Sequence, residues 1–266
     1  MKRIIVCVKP VPDPKHWHEV SMDPHTKTLK REGIPSIMNP LDKHALEAAL
    51  RIGEEKGKEV ILLSMAPPSA VSTLREGLAM GADRAILLSD PLFAGSDSLA
   101  TATILAAGCR WIGEFDMVIL GNLSIDGSTA QVCSQLAEIL DLPNVMHVID
   151  MTWESPETGM LTQKIENGFA RLKASLPLVI SVRKEINKPR YTLFTGIIEA
   201  ESKEIITLSN NDLKIDPTLI GLDGSPTKMA GLEIRKFERE RERLEGSVEE
   251  IVQTLVDRIY QYGIIK

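Results

Sequence analysis

Four short apolar runs constrain this chain more than any other feature: Ile4 to Val8, EVILLSM from Glu59, AILLSD from Ala85 and MVILGN from Met117. The first is short and β-branched, and none shows polar alternation, as expected of strands buried on both faces. Between them lie segments with helical periodicity. MNPLDKHALEAALRIGEEKG carries Leu41, Ala45, Ala48 and Ile52 on one stripe, with Asn39 as a cap, Pro40 in the first turn and Gly57 as a stop. A second helix is predicted from about Ser69 to Met80, and a third from about Ser96 to Gly113. The resulting β-α-β-α-β-α-β order predicts a parallel sheet with helices on both faces. In such a sheet ligands sit where strand ends meet the loops leading into helices.

A fourth helix is expected in TAQVCSQLAEIL, with Val132, Leu136 and Ile139 or Leu140 on one face and Pro143 ending it before the strand NVMHVIDMTWE. Turn signals at PETG and ENG then separate TQKI, ARLKA and LPLVISV, predicting a small antiparallel extension that returns to a buried strand. A polar hairpin-like stretch is read around Asp23 to Lys30. Beyond Lys188 the rhythm is lost, and EIRKFERERERLEG leads to a final helix with Val248, Ile251, Leu255 and Ile259 in a stripe. An amphipathic tail helix must bury that stripe on its own domain or on another subunit. The domain expectation is therefore residues 1–208 as the α/β domain and 209–266 as an extended arm whose helix packs on a partner.

Composition narrows the partners. A formal charge of -6 supplies no general basic field for a nucleic-acid backbone or an anionic membrane, and no run reaches the length of a membrane span. Cys7, Cys109 and Cys133 are scattered, which fits neither a disulfide framework nor a close-spaced metal site, so a reducing, cytoplasmic setting is expected. His16, His18 and His25 share a polar loop that reads as a metal site or as plain solvated loop; no nearby cysteine or carboxylate pattern supports the metal, and none is assigned. The chain lacks a G-x-x-x-x-G-K-[ST] loop, a G-x-G-x-x-G after the first strand, a G-x-S-x-G elbow and an H-E-x-x-H helix. No catalytic acid-base constellation emerges, which suits a carrier whose chemistry resides in a cofactor.

The most informative window is GNLSIDGSTAQV, comprising Gly121, Asn122, Leu123, Ser124, Ile125 and Asp126, then Gly127, Ser128, Thr129, Ala130, Gln131 and Val132. It joins a buried strand to a helix. Free N–H groups at a helix start, with the Ser128 and Thr129 hydroxyls, would suit a phosphate; an ordinary helix capped by Asp126 or Ser128 fits the same spacing. The second window is MNPLD, where Asn39 as cap and Asp42 as dipole partner is the local reading. Cys7 with Lys9, and Met65, end the first two strands and would meet the Gly121 loop at one sheet edge.

Together these windows resemble the beta subunit of electron transfer flavoproteins, in order along nearly the whole chain. The likeness rests on Val8 and Lys9, Met38 to Asp42, Ala79 to Arg84, Gly121 with Ile125 and Asp126, Leu176 to Val182, and Pro189 to Tyr191. The resemblance implies a doubly wound, Rossmann-like nucleotide-binding fold with a C-terminal arm. It implies a nucleotide pocket of Cys7, Asn39, Pro40, Leu41, Asp42, Met65 and the Gly121 to Val132 loop.

Housekeeping members of the family resemble one another in a DDDCNQT-like loop and hold structural AMP. Electron-bifurcating members tend to carry DG-[DS]-TAQV and hold a second FAD. Asp126 to Val132 here reads DGSTAQV, so the resemblance implies FAD, with AMP as the alternative, and NADH as electron donor. Electrons would divide between a low-potential ferredoxin or flavodoxin and, through the FAD of an alpha subunit, a flavin-dependent dehydrogenase of acyl-CoA or 2-hydroxy-acid type. The segment from about 189 to 200 resembles the family's recognition loop, with Phe194 as docking anchor and Leu193 beside it; an aromatic there could equally cover its own core. EAESKE stands where housekeeping members carry a lysine cluster, so the dehydrogenase partner is expected to differ.

Overall fold

In the computed structural model, residues 3–19, 21–22, 29–30, 33–228 and 242–265 are described. The strands are β1 (Arg3–Cys7), β2 (Pro10–Pro12), β3 (Ser21–Met22), β4 (Leu29–Lys30), β5 (Ser36–Met38), β6 (Glu59–Met65), β7 (Arg84–Leu88), β8 (Met117–Gly121), β9 (Asn144–Ser155), β10 (Thr158–Ile165), β11 (Gly168–Ser175), β12 (Leu178–Val182) and β13 (Ile205–Leu208). The helices are α1 (Pro40–Lys56), α2 (Val71–Met80), α3 (Ser98–Ile112), α4 (Val132–Leu140), α5 (Phe194–Ser202), α6 (Asn210–Leu213) and α7 (Val248–Gln261). One sheet runs in the order β11-β10-β9-β12-β8-β1-β6-β7-β13. From β9 to β13 every neighbouring pair is parallel; β10 and β11 extend it antiparallel, in the hairpin that the PETG and ENG turns predict.

The apolar runs are continuous because both faces of the sheet are covered. Ile4, Val6, Val60, Leu62, Met117 and Ile119 face a core with Leu46, Ala49 and Leu50 of α1 and Leu74 and Leu78 of α2. Ile5, Ile61, Leu63, Val118 and Leu120 face the other core, with Ile104, Leu105 and Cys109 of α3 and Cys133 and Leu136 of α4. Alternate residues of one strand thus supply two cores, each fully buried side chain stabilising by roughly 1.5–3 kcal/mol.

Three local expectations change. Asn39 occupies the N-cap position of α1, but its side chain makes no capping bond. The fourth helix begins at Val132 and leaves Thr129 to Gln131 in the loop. Past Lys188 the rhythm is not lost: α5 starts at Phe194 and β13 joins the sheet edge beside β7, Ile205 facing Ala85 in register. The four-residue length of β13 gave too short a pattern to read. Ser21–Met22 and Leu29–Lys30 pair antiparallel as a hairpin would; its turn and His25 lie outside the described residues.

The chain divides into two compact units, Met1–Gly231 and Leu232–Lys266. Within the first, the segment after β13 is tied to the helix layer: Asn210 N donates to Asp90 Oδ2 (2.9 Å) and Ser225 Oγ accepts from Asp97 N (2.8 Å). In the second, α7 begins with a capping box between Ser247 and Glu250, and its Val248, Val252 and Leu255 are exposed. Among the described residues no helix is long and apolar enough to cross a membrane.

Candidate functional site

The chain passes from β1 to β6 and β7 on one side, then β8 starts the other side of β1, so the sheet's topological switch point lies between the carboxyl ends of β1 and β8. Cys7 and Leu120 are register partners there. The ribbon pairing β2 with β5 folds the chain back, so that Asn39 N donates to the Lys9 carbonyl at 2.9 Å. The start of α1 is thereby brought to the end of β1.

Asn39 and Asp42 tie this corner together. Asn39 is 1% exposed; its Nδ2 donates to Asp42 Oδ1 (2.9 Å) and to the Leu123 carbonyl (3.0 Å), and its Oδ1 accepts from Ile125 N (3.3 Å). Asp42 Oδ2 accepts from Lys9 N at 2.8 Å. Burial pushes the Asp42 carboxyl up to about 7, against the lowering effect of the Asn39 and Lys9 hydrogen bonds. Gly121 closes the contact: a Cβ there would overlap Asp42 Oδ1 and come within 2.8 Å of the Leu41 carbonyl carbon. Any other residue would drive α1 off β8. The local reading of Asn39 as cap thus gives way to one in which α1 and the loop after Gly121 share its side-chain amide.

The loop after Gly121 has an unusual backbone. Ser128 and Ala130 both lie in the left-handed region, with φ of 51° and 54°. Such non-glycine residues cost of order 1 kcal/mol each or more, and concentrate where function over-determines the conformation. Neither expected cap closes α4. Asp126 Oδ1 accepts from Gly127 N and from Lys9 Nζ, both at 2.7 Å, and Ser128 Oγ donates to the Ser124 carbonyl at 3.2 Å. Gln131 is the N-cap of α4 and makes no side-chain capping bond; its Oε1 accepts from Ser98 Oγ at 3.0 Å. The positive end of α4 therefore faces a loop of small residues, an arrangement able to receive an anion.

Other expected site residues are placed differently. Cys7 is buried in the α3/α4-side core, its thiol raised well above its usual value by burial; Met65 packs partly buried against the same core. Pro40 is exposed in the first turn of α1 and Leu41 is half-buried. Among the described residues no group of His, Cys, Asp or Glu is disposed to hold a metal ion. Lys9, which the sequence places at this sheet edge without assigning it to the pocket, joins three of its segments. Its signal was its place immediately beyond β1.

Leu193 and Phe194 belong to a second surface. Leu193 is the N-cap of α5 and Phe194 its first residue, 69% and 77% exposed, so Phe194 does not cover its own core. This segment is braced on α1 and α2. Asn187 Nδ2 donates to the His44 carbonyl (2.9 Å), and Arg190 donates to Glu47 and Glu54. Burial would raise the Glu47 carboxyl, but hydrogen bonds from Arg190 and Arg51 outweigh it and hold it below its usual value. A Cβ on Gly196 would overlap the Ala79 carbonyl, so glycine there lets α5 lie close on α2.

Comparison with known proteins agrees over the whole length. Residues 26–213 match the model of the electron transfer flavoprotein domain. The chain is 43% identical to the electron transfer flavoprotein subunit beta of Thermoanaerobacterium thermosaccharolyticum, over 98% of this chain and 99% of that one. It is 42% identical to the caffeyl-CoA reductase-Etf complex subunit CarD of Acetobacterium woodii, over 99% and 100%. It is 37% identical to the acryloyl-CoA reductase electron transfer subunit gamma of Anaerotignum propionicum, again over 99% and 100%. With its parallel sheet, its switch-point loop and these full-length relatives, the chain belongs to the electron transfer flavoprotein family, in its beta-subunit branch.

Proposed function

We propose that this subunit binds FAD at the switch point and takes part in electron bifurcation. Its pair would be an alpha subunit carrying its own FAD. The observation that carries the reading is the loop Asp126 to Val132: small Gly127, Ser128 and Ala130, with left-handed backbone at Ser128 and Ala130, lead into α4, whose N-cap residue Gln131 makes no side-chain capping bond. Small residues let a pyrophosphate approach backbone N–H groups, and the helix dipole favours its charge. When bound, the FAD would supply acceptance of a hydride from NADH and release of its two electrons to different acceptors, a low-potential ferredoxin or flavodoxin and the alpha-subunit FAD.

The chain's own residues would do the binding and positioning. Asn39 and Asp42 would hold the loop against α1, Cys7 and Met65 would line the apolar side, and Gly121 would keep the strand end close to α1. Leu193 and Phe194 would dock a flavin-dependent dehydrogenase, their exposure and the bracing of α5 supporting that use. The names of the relatives from A. woodii and A. propionicum point to acyl-CoA-type partners, caffeyl-CoA and acryloyl-CoA reductases. The cytoplasm is the proposed compartment.

The test is the nucleotide content of the co-expressed alpha–beta heterodimer, extracted and quantified. Two FAD and no AMP per dimer is expected. One FAD with one AMP would make this a single-flavin carrier with a structural nucleotide in the same pocket.

A further inference from the structure

We propose that Lys9 is a phosphate-side residue of the pocket: it neutralises Asp126 within the loop and offers its remaining N–H to a phosphate oxygen of the ligand. The inference rests on the reading of this pocket as a nucleotide site.

All three polar groups of Lys9 are engaged in joining the site's segments. Its N–H donates to Asp42 Oδ2 (2.8 Å), its carbonyl accepts from Asn39 N (2.9 Å), and its ammonium donates to Asp126 Oδ1 (2.7 Å) and Ser124 Oγ (3.3 Å). The ion pair is asymmetric. The Asp126 side chain is 4% exposed, whereas that of Lys9 is 42% exposed. A carboxylate so enclosed, in a loop proposed to receive an anion, would repel the ligand unless a cation stood beside it. Lys9 is that cation.

The ammonium also lies against the loop, its Nζ 3.8 Å from where a Cβ of Gly127 would be, next to left-handed Ser128. An ammonium has three donors, and Asp126 and Ser124 take two. The third, on a partly exposed group, is available to a ligand without breaking the pair. Burial of Asp126 and exposure of Lys9 thus neutralise the loop's carboxylate and leave the ammonium as the more exposed charge of the pair.

The test uses the co-expressed heterodimer with the full chain, depleted of nucleotide by dialysis and titrated calorimetrically with AMP and with FAD. Lys9→Met, which keeps the aliphatic stem, should weaken binding by about tenfold or more, the scale of one lost charge-assisted contact. Lys9→Arg should bind close to wild type. The double variant Lys9→Met/Asp126→Asn should recover part of the loss, because the enclosed carboxylate is gone, but not all of it, because the contact to the phosphate stays missing; full recovery would reduce Lys9 to a structural partner of Asp126 and overturn the inference. Unchanged affinity in Lys9→Met, or a double variant no better than the single one, overturns the inference alone. Wild-type protein that takes up neither nucleotide overturns the pocket reading and this inference with it. Should Lys9→Met not fold, Lys9→Gln replaces it in the same cycle, with the same two outcomes deciding.

Discussion

The guanidinium and the backbone N–H of Arg190 both donate to one oxygen of Glu47, at 2.8 and 3.1 Å, across 143 residues of sequence. Glu47 lies in mid-α1 and is 3% exposed, so this pair fastens the segment leading to Leu193 and Phe194 onto the helix whose start carries Asn39 and Asp42. Glu54 sets a second carboxylate on the same guanidinium, and hydrogen bonds to Glu54 first and Glu47 second raise the Arg190 pKa above its ordinary value.

Replacing Arg190 with Ala is therefore expected to destabilise the first unit by about 1–3 kcal/mol. Glu47 would keep Arg51 but lose its main partner while remaining buried. Urea unfolding of the variant checks this, and a loss below about 0.5 kcal/mol, the level of an ordinary exposed pair, would contradict it.

At the other end of α1, Gly121→Ala should be costly in a residue that looks innocuous from its strand. The added Cβ has to displace the Asp42 carboxyl and the Leu41 backbone together, an overpacking cost of about 1–3 kcal/mol. Because the shift moves Asp42 and Asn39 off the loop, nucleotide content should fall more steeply than melting temperature does. Full nucleotide occupancy in this variant would mean that α1 and the loop move independently.

Asp42 gives a pH dependence whose sign follows from burial. Its carboxyl is raised from 3.8 to about 7 in the folded protein, so the native state holds a proton that the unfolded chain releases between those values. The stability contributed by this group is complete below about pH 4 and is lost as pH rises through 7, by a few kcal/mol at about 1.4 kcal/mol per unit. Measured without added nucleotide, wild type should lose stability relative to Asp42→Asn between pH 4.5 and 8. A difference between the two proteins that stays flat over that range would show that Asp42 titrates as an ordinary carboxylate.

The three cysteines should be silent in the folded protein. Cys7, Cys109 and Cys133 are buried, and burial raises the thiols of Cys109 and Cys133 to about 12 and that of Cys7 well above its usual value. A chromogenic disulfide reagent at pH 8 is expected to label none of them until denaturant is added. Rapid labelling of Cys133 under native conditions would instead reveal opening of the first turn of α4.

Much of this protein was determined by sequence alone, because the signals are local. The continuous apolar runs require a sheet covered on both sides, and the helix periods between them require parallel crossovers; Gly and Pro punctuate the hairpin of β10 and β11. The window from Gly121 to Val132 was legible as a strand-to-helix loop for the same reason. What it could not contain was the choice among hydrogen-bond partners. By local chemistry Asn39 caps α1 and Asp126 or Ser128 caps α4, since a nearby backbone N–H is the default partner for a short polar side chain. Tertiary structure offered better partners, buried and distant in sequence: Leu123 and Ile125 for Asn39, and Lys9 for Asp126, 84 to 117 residues away. Likewise β13 became a strand only because the exposed edge of β7 stood ready to satisfy its backbone, a condition that its four residues do not carry themselves.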